Sequence, residues 1–322
     1  MVHRAPNDEA RMMNDTTTGP KTIALVTGGN AGIGFETCRG LLEAGHHVIV
    51  GTRSAEKGSA AVDSLLAGAP AGSSAEVLVL DLSSLDSVRS AAESFLATQR
   101  PLNVCVLNAG IMALPWRRTA DGFEQQWQVN VLGHFLLCRL LLPAVEAAED
   151  PSGRIVHVAS GAHRLHPESV DYALLAGEHE NAEPYDQWRA YGRSKLANIL
   201  LSNELARRLV AAGSRVTSNA LHPGNVNTGL WSKAGRSNES GLSPAEGAET
   251  SVHLALSNDV EGQTGGYYFQ CAPVTHIYVA EEDAEKDYVA KSAMRTEVST
   301  SEVEARRAWT VASRDVGMEE SL

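Results

Sequence analysis

The feature that most constrains the fold of this chain is a glycine-rich turn, TGGNAGIG, at 27–34. The turn lies directly between the short apolar run TIALVT and the helix-like segment FETCRGLLEAG. Glycines allow a tight turn and let backbone N–H groups approach a phosphate, and the N-terminus of the following helix adds partial positive charge. A strand, a glycine turn and a helix in this order predict a site for the pyrophosphate of a dinucleotide. The residues expected to line it are Gly28, Asn30, Gly32, Ile33 and Gly34.

Short apolar runs and helical segments alternate along the rest of the chain. The runs HHVIVGT, EVLVL, NVCVLN, RIVHVAS, RVTSNAL and GYYFQ predict six further strands, and two of the intervening helices are long, at about 121–147 and 185–212. Continuous apolar strands separated by helices are typical of a parallel sheet covered on both faces. We therefore predict a Rossmann-type α/β fold, with a doubly wound, mostly parallel sheet and helices on both faces.

The chain is expected to form one domain, because no repeat or low-complexity linker divides it. We predict a flexible tail at 1–20 and a single domain at 21–322. Within that domain, a Gly/Ser-rich stretch predicts a substrate loop at about 222–242, and a charged helical segment predicts a C-terminal cap at about 281–315.

The charge balance is acidic, since 27 Lys+Arg face 39 Asp+Glu and the formal net charge is −12. That balance argues against a general nucleic-acid binder and a polybasic membrane binder. The four cysteines form no C-x-x-C pair, which predicts reduced thiols in a cytoplasmic protein. The most apolar stretch, VLGHFLLCRLLLPAV, is interrupted by His134 and Arg139 and is short for a membrane span, so we expect a buried helix there.

The ends of three predicted strands supply candidate cofactor contacts. The second ends in Arg53, where an NAD site usually has an acid for the ribose 2′-hydroxyl. A guanidinium suits a 2′-phosphate instead, to which Asn30 is also placed to donate, so NADP(H) is preferred over NAD(H). The alternative for Arg53 is a solvated surface side chain. The other two ends carry Asp81 and Leu82, where the acid is placed to accept from the adenine amine, and Asn108, Ala109 and Gly110.

Tyr191 and Lys195 lie four residues apart in YGRSKLANIL, on one face of a predicted helix. Free tyrosine titrates near pH 10, and a neighbouring ammonium lowers that value, which prepares the phenol for proton transfer to a carbonyl oxygen. Ser160 ends the strand RIVHVAS, at the sheet edge where doubly wound folds bind ligands. Asn130, a mediocre helix former among apolar neighbours, is expected to have a buried polar role.

In combination, these motifs resemble the short-chain dehydrogenase/reductase family. The pattern comprises TGGNAGIG, Asp81, NAG at 108–110, Asn130, Ser160, YGRSK at 191–195 and HPG at 222–224, within about residues 21–280. The resemblance implies a seven-stranded sheet and a catalytic tetrad of Asn130, Ser160, Tyr191 and Lys195. It also implies that Lys195 bonds the nicotinamide ribose, and that the asparagine carbonyl holds a water against the lysine. On the nicotinamide side it implies Pro223, Gly224, Val226 and Thr228.

A narrower resemblance comes from the 31 residues that separate Ser160 and Tyr191, which exceed the dozen or so usual in the family. The intervening segment is similar to retinol dehydrogenases and to the oxidoreductase domain of WW-domain-containing oxidoreductase, a subgroup that mostly uses NADP(H). The insertion contains His163, His166 and His179. Without a metal-ligand spacing they predict a loop at the substrate mouth, and no metal is expected. Trp188 and Trp231, and more weakly Trp116, are candidates for an apolar pocket wall.

Together these features predict an NADP(H)-dependent oxidoreductase that interconverts a carbonyl and an alcohol on a small or medium lipophilic substrate. Two alternatives stay open from the sequence: a regulatory NADPH-binding protein with little catalysis, and a family member that reduces a C=C bond. We expect no nucleic-acid partner and no membrane span. The family resemblance also implies a possible homodimer or homotetramer.

Overall fold

The computed structural model describes residues 22–149, 152–165, 170, 185–279, 286, 290–291 and 293–322. The tail predicted at 1–20 lies outside this range, as do parts of the insertion after Ser160 and of the predicted C-terminal cap.

The central sheet of the fold contains seven parallel strands. They are β1 Ile23–Thr27, β2 His47–Thr52, β3 Ser74–Val79, β4 Val104–Leu107, β5 Arg154–Val158, β6 Thr217–His222 and β7 Tyr267–Phe269. Their order in the sheet is β3-β2-β1-β4-β5-β6-β7, which reverses direction between β1 and β4. The predicted doubly wound α/β fold is therefore confirmed.

An eighth strand, β8 Ala272–Pro273, extends the sheet by antiparallel pairing with β7. The connecting residues Gln270 and Cys271 both have positive φ, at 49° and 60°, which makes a tight hairpin. The expected count of seven strands was one too few, because a two-residue strand has no apolar pattern to detect.

The described helices connect the strands and cover both faces of the sheet. They are α1 Gly32–Glu43, α2 Ala55–Gly68, α3 Leu85–Leu96, α4 Gln125–Trp127, α5 Gly133–Glu146, α6 Gln187–Ala211, α7 Gly229–Lys233, α8 Pro244–Leu256 and α9 Glu302–Val316. Successive residues of β1 point to opposite faces, so Ala24 and Val26 join one core while Ile23 and Leu25 join the other. Helices α1 and α8 pack on the first face, and α3, α5, α6 and α9 pack on the second.

The long helical segment before β5 differs from its prediction. It begins at Gln125, not near residue 121, and contains a π-helical turn at Gln128–Leu132. By length and composition, the span Gln125–Glu146 could cross a membrane, since an 18-residue window within it has a mean hydropathy of 1.4. However, 83% of that window is buried in the fold. It packs as a core helix between the sheet, α3 and α6.

The C-terminal segment packs into the main core. Helix α9 lies on α6, and its Trp309 is buried against Phe135, with the ring centroids 5.0 Å apart. The guanidinium groups of Arg139 and Arg208 lie 4.9 Å and 4.6 Å from the Trp309 ring centroid. The described part of the predicted cap also contains a short strand, β10 Met294–Arg295, which pairs with β9 His276–Ile277.

Candidate active site

A cavity of about 360 Å³ opens at the carboxyl ends of β1, β2, β4 and β5. Most of the predicted cofactor residues line it, although they come from several separate segments of the chain. They are Gly28, Asn30, Gly32, Ile33, Gly34, Arg53, Asp81, Leu82, Asn108, Ala109, Gly110, Tyr191, Lys195, Pro223 and Thr228. Gly224 and Val226 are not among the lining residues; Val226 is buried and pairs with Leu242 instead.

The glycine turn has the conformation that its sequence predicts. Gly28 and Gly32 have φ values of +67° and +57°, where side chains other than glycine are strained. A Cβ atom on Gly34 would collide with the carbonyl oxygen of Gly28. A larger residue at position 34 would therefore keep the start of α1 away from the turn. Helix α1 begins at Gly32, and its N-cap residue Ala31 offers no side-chain cap, whereas serines cap α2 and α3. The first N–H groups of α1 therefore keep their capacity to bind an anion.

Thr27, a residue that the sequence analysis did not select, joins the turn to the segment after β4. Its hydroxyl accepts from the backbone N–H groups of Asn108 and Ala109, both at 2.9 Å. The same hydroxyl lies 2.8 Å from Nε2 of His134, and the Asn108 side-chain amide donates to the Thr27 carbonyl at 2.8 Å. The ends of β1 and β4 are thereby held in one register at the floor of the cavity.

The imidazole of His134 is neutral, because complete burial lowers its pKa to about 3. Its Nδ1 lies 3.1 Å from the carbonyl oxygen of Asn130, which can only accept. Nδ1 therefore carries the proton, and Nε2 accepts from the Thr27 hydroxyl. The π-helical turn brings this carbonyl and this ring together.

Asn130 has the buried polar role that the sequence predicted. Its Oδ1 accepts from the N–H of Ile111, and its Nδ2 donates to the carbonyl of Ile111 and to the hydroxyl of Ser194. A Cβ atom on Gly110 would lie 3.3 Å from Asn130 Oδ1 and 3.6 Å from Lys195 Nζ. The structure thus brings the asparagine, the lysine and the NAG turn together.

Lys195 is buried beneath Tyr191, with Nζ at 5.9 Å from the centroid of the tyrosine ring. Its ammonium donates to the carbonyl of Val158 at 2.9 Å, and burial lowers the pKa of the group to about 8. Both side chains line the cavity from α6, as their four-residue spacing predicts.

Ser160 follows β5 at the start of a 3₁₀ turn, Gly161–Leu165. Its hydroxyl accepts from the N–H of Ala162 at 3.1 Å, and its carbonyl accepts from Nδ1 of His163 at 2.7 Å. A Cβ atom on Gly192 would lie 2.7 Å from the carbonyl oxygen of Ala162, so glycine lets α6 approach this turn. Ser160 is not among the residues that line the 360 Å³ cavity, although its neighbours Val158 and Ala159 are.

Comparisons with known proteins agree with this geometry. Residues 22–172 match the family model described as short chain dehydrogenase. Retinol dehydrogenase 11 of Homo sapiens is 37% identical over 281 residues, which cover 84% of this chain and 83% of that protein. The WW domain-containing oxidoreductase of Danio rerio is 40% identical over 270 residues, which cover 78% of this chain and 63% of that protein.

This chain belongs to the short-chain dehydrogenase/reductase family. It is therefore an oxidoreductase whose fold binds nicotinamide cofactors, and the predicted resemblance to the retinol dehydrogenase-like subgroup is confirmed.

Solved structures also share the fold of this short-chain dehydrogenase. A putative uncharacterized protein from Mycobacterium Paratuberculosis has a TM-score of 0.72 and 30% identity, with 95% of this chain and 98% of that chain covered. Pseudomonas aeruginosa RhlG, in an NADP active-site complex, has a TM-score of 0.58 and 28% identity, with 76% and 93% covered.

The cavity at the carboxyl ends of the strands has a positive lining although the chain is acidic. Arg53, Lys57, Lys195 and Lys233 line it, whereas Asp81 is the one acidic residue among the described lining residues. The Asp81 carboxylate already accepts from the backbone N–H and the hydroxyl of Ser83. Lys57 and Lys233 were not predicted from the sequence, since an isolated lysine on a helix carries no pattern that distinguishes it from a solvated one.

An apolar wall lies beside the tyrosine of this dehydrogenase. Trp188 packs edge-on against Tyr191 at 6.5 Å between ring centroids, and Trp231 lies 6.1 Å from Trp188. Smaller residues complete the cluster: Met112, Ala113, Ala162, Leu230 and Ala234. The two tryptophans predicted for a pocket wall are thus in contact, whereas Trp116 is exposed and lies outside this cluster.

Of the three histidines in the insertion, His163 is buried and bonded to Ser160, whereas His166 and His179 lie outside the described residues. Within the described ranges, no group of three or more His, Cys, Asp or Glu side chains is placed to hold a metal ion.

Proposed function

We propose that the protein is an NADP(H)-dependent oxidoreductase that interconverts a carbonyl and an alcohol on a small or medium lipophilic substrate. The observation that carries this proposal is the position of Tyr191 and Lys195, which line the same cavity as the uncapped glycine turn. A phenol, a buried cation and a phosphate-binding turn in one cleft suit proton transfer beside a dinucleotide.

The residues of this chain fit the cofactor that the family fold implies. The glycine turn and the uncapped start of α1 line the cavity with backbone N–H groups that suit a pyrophosphate, and the cavity is locally positive. When bound, a nicotinamide dinucleotide supplies or accepts the hydride of the reaction. Tyr191 gives a proton to, or takes one from, the substrate oxygen, and Ser160 orients that oxygen.

Lys195 has two tasks in this proposal: it bonds the nicotinamide ribose, and it adjusts the acidity of Tyr191. Its ammonium favours the phenolate of Tyr191, which brings the tyrosine closer to neutral pH as an acid–base group. Asn130 keeps the Ile111 backbone and Ser194 in place around that ammonium, because its amide bonds to both. Burial limits this effect. It lowers the pKa of the Lys195 ammonium to about 8, which disfavours the charged form of the lysine.

The preference for NADP(H) is supported by the cations at the end of β2. Arg53 and Lys57 both line the cavity there, and both are exposed and able to move onto an anion. A guanidinium forms bidentate hydrogen bonds with a phosphate group. NADP(H) has such a group on its ribose, whereas NAD(H) has only a hydroxyl there. The apolar wall of Trp188, Trp231 and Met112 supports a lipophilic substrate.

A panel of aldehydes, ketones, alcohols and enones, each offered with both cofactors, tests the proposal. We expect NADPH oxidation with carbonyls and alcohol products by mass spectrometry. Products with a reduced C=C bond would show that the protein reduces alkenes instead of carbonyls. Cofactor binding without turnover across the panel would favour a regulatory protein. The cytoplasmic location and the homodimer or homotetramer stay predictions of the sequence.

Tyr191→Phe is the decisive variant because it removes the phenolic hydroxyl and little else. We expect turnover to be abolished while the dissociation constant for NADPH stays within about twofold of the wild type. Retained turnover would refute the role of Tyr191. Unchanged near- and far-UV circular dichroism would show that the variant is folded.

A further inference from the structure

Lys233 lines the cofactor cavity, and neither the motifs nor the proposed chemistry give it a role. Its amino group has no hydrogen-bond or ion-pair partner in the part of the chain that the structure describes. The other cations of the cavity are placed elsewhere: Arg53 and Lys57 follow β2, and Lys195 is bonded to Val158. Lys233 therefore brings a positive charge to this cavity from a separate segment.

The segment that carries Lys233 lies next to the glycine turn. Thr228 begins α7 as its N-cap, and its methyl group would lie 3.5 Å from a Cβ atom on Gly32. Gly229 and Lys233 are one helical turn apart, so both face the cavity, together with Leu230. This wall of the cavity thus lies beside the turn whose N–H groups suit a pyrophosphate.

Helix α7 has a second face, which builds the apolar wall. Trp231 packs against Trp188, and its indole N–H donates to the carbonyl of Val226 at 3.0 Å. Leu230 and Ala234 belong to the same cluster as Tyr191. One short helix therefore contacts the cofactor cavity through Lys233 and the predicted substrate wall through Trp231.

We propose that Lys233 binds the pyrophosphate of the dinucleotide and thereby holds α7, with Trp231, in the apolar wall. The inference rests on the proposed function, because it requires that the cavity take a dinucleotide. Pyrophosphate is favoured over the 2′-phosphate because Thr228 lies beside Gly32, whereas Arg53 and Lys57 flank the end of β2. By linkage, a charge contact that stabilises α7 also lowers the chance that the segment opens locally.

Calorimetric titration of Lys233→Met with NADPH and with NADH tests the contact. We expect both dissociation constants to rise by about tenfold, the effect of one charge-assisted hydrogen bond. Lys233→Arg keeps the charge and should stay within about threefold of the wild type. Arg306→Met removes an exposed cation on α9 and should change neither constant.

A second measurement follows the wall itself without any turnover. Trypsin cleavage after Arg236, quantified as the peptide that begins at Ser237, reports local opening of this segment. We expect saturating NADPH to slow that cleavage several-fold in the wild type and in Lys233→Arg, but not in Lys233→Met.

The outcomes separate this inference from the proposed function. Unchanged affinity of Lys233→Met for both dinucleotides, or full protection of its Arg236 site by saturating NADPH, would overturn the inference and leave the proposed function intact. A loss confined to NADPH would overturn the pyrophosphate assignment in favour of a 2′-phosphate contact. If the wild type binds neither dinucleotide, the proposed function fails and the inference fails with it.

Discussion

Replacing Thr27 by valine tests how the floor of the active site is held together. The Thr27 hydroxyl makes three short hydrogen bonds, to the N–H groups of Asn108 and Ala109 and to the ring of His134, and it also lies 3.4 Å from the Val106 carbonyl oxygen. Valine has nearly the same shape and cannot make any of them. At about 1 kcal/mol net for each bond, the loss is about 3 kcal/mol.

The added methyl group offsets part of that loss. Thr27 is fully buried, so valine gains about 1 kcal/mol from apolar burial. We therefore expect the free energy of unfolding to fall by about 2 kcal/mol. Thr27→Ser keeps the hydroxyl and loses a methyl group, so it is the matched control.

Urea unfolding followed by circular dichroism measures the difference. A lower midpoint with an unchanged slope indicates a change in stability alone. We also expect weaker NADPH binding in the valine variant, because the Asn108–Gly110 segment loses two hydrogen bonds to β1 and keeps only the one from the Asn108 amide to the Thr27 carbonyl. If the valine variant is as stable as the wild type while the serine variant is not, the hydroxyl is not the anchor that its geometry indicates.

Three further perturbations follow from the structure. Arg53→Asp should weaken NADPH by about tenfold or more relative to NADH, because the carboxylate repels a 2′-phosphate, and paired titrations with both cofactors measure this. Trp309→Ala should lower the free energy of unfolding, measured by urea titration, by about 3–5 kcal/mol, because a fully buried ring is lost between α5, α6 and α9. Trp309→Phe is the control and should lower it by less, because it keeps an aromatic ring. Burial lowers the pKa of His157 from 6.5 to about 3, so the unfolded chain binds one more proton than the folded chain between these values. Stability should therefore fall as the pH drops below about 6.5, and His157→Leu should remove about 1.4 kcal/mol per pH unit from that slope. An unchanged slope in urea titrations from pH 7 to 4.5 would show that His157 is not buried as a neutral ring.

The local patterns predicted elements well where one physical signal dominates. The turn requires glycine at 28 and 32 because of their positive φ values, and at 34 because a Cβ atom would collide with the Gly28 carbonyl. This requirement is visible in the sequence alone. The π-helical turn at Gln128–Leu132 was not predicted, because no periodicity marks five residues within a longer apolar helix. Within this turn, Asn130 makes tertiary hydrogen bonds to Ile111 and Ser194, which lie far from it along the chain.

The amino-acid sequence by itself determined the fold class, the cofactor turn and the spacing of Tyr191 and Lys195, because each depends on neighbouring residues or on regular periodicity. Only the tertiary structure showed that Thr27 and His134 bond to each other at the base of the cavity. It also showed that Gly224 and Val226 lie outside the cavity lining. The physical reason is distance along the chain. Contacts between segments tens of residues apart depend on how the strands and helices pack, and a single sequence carries no local signal for that packing.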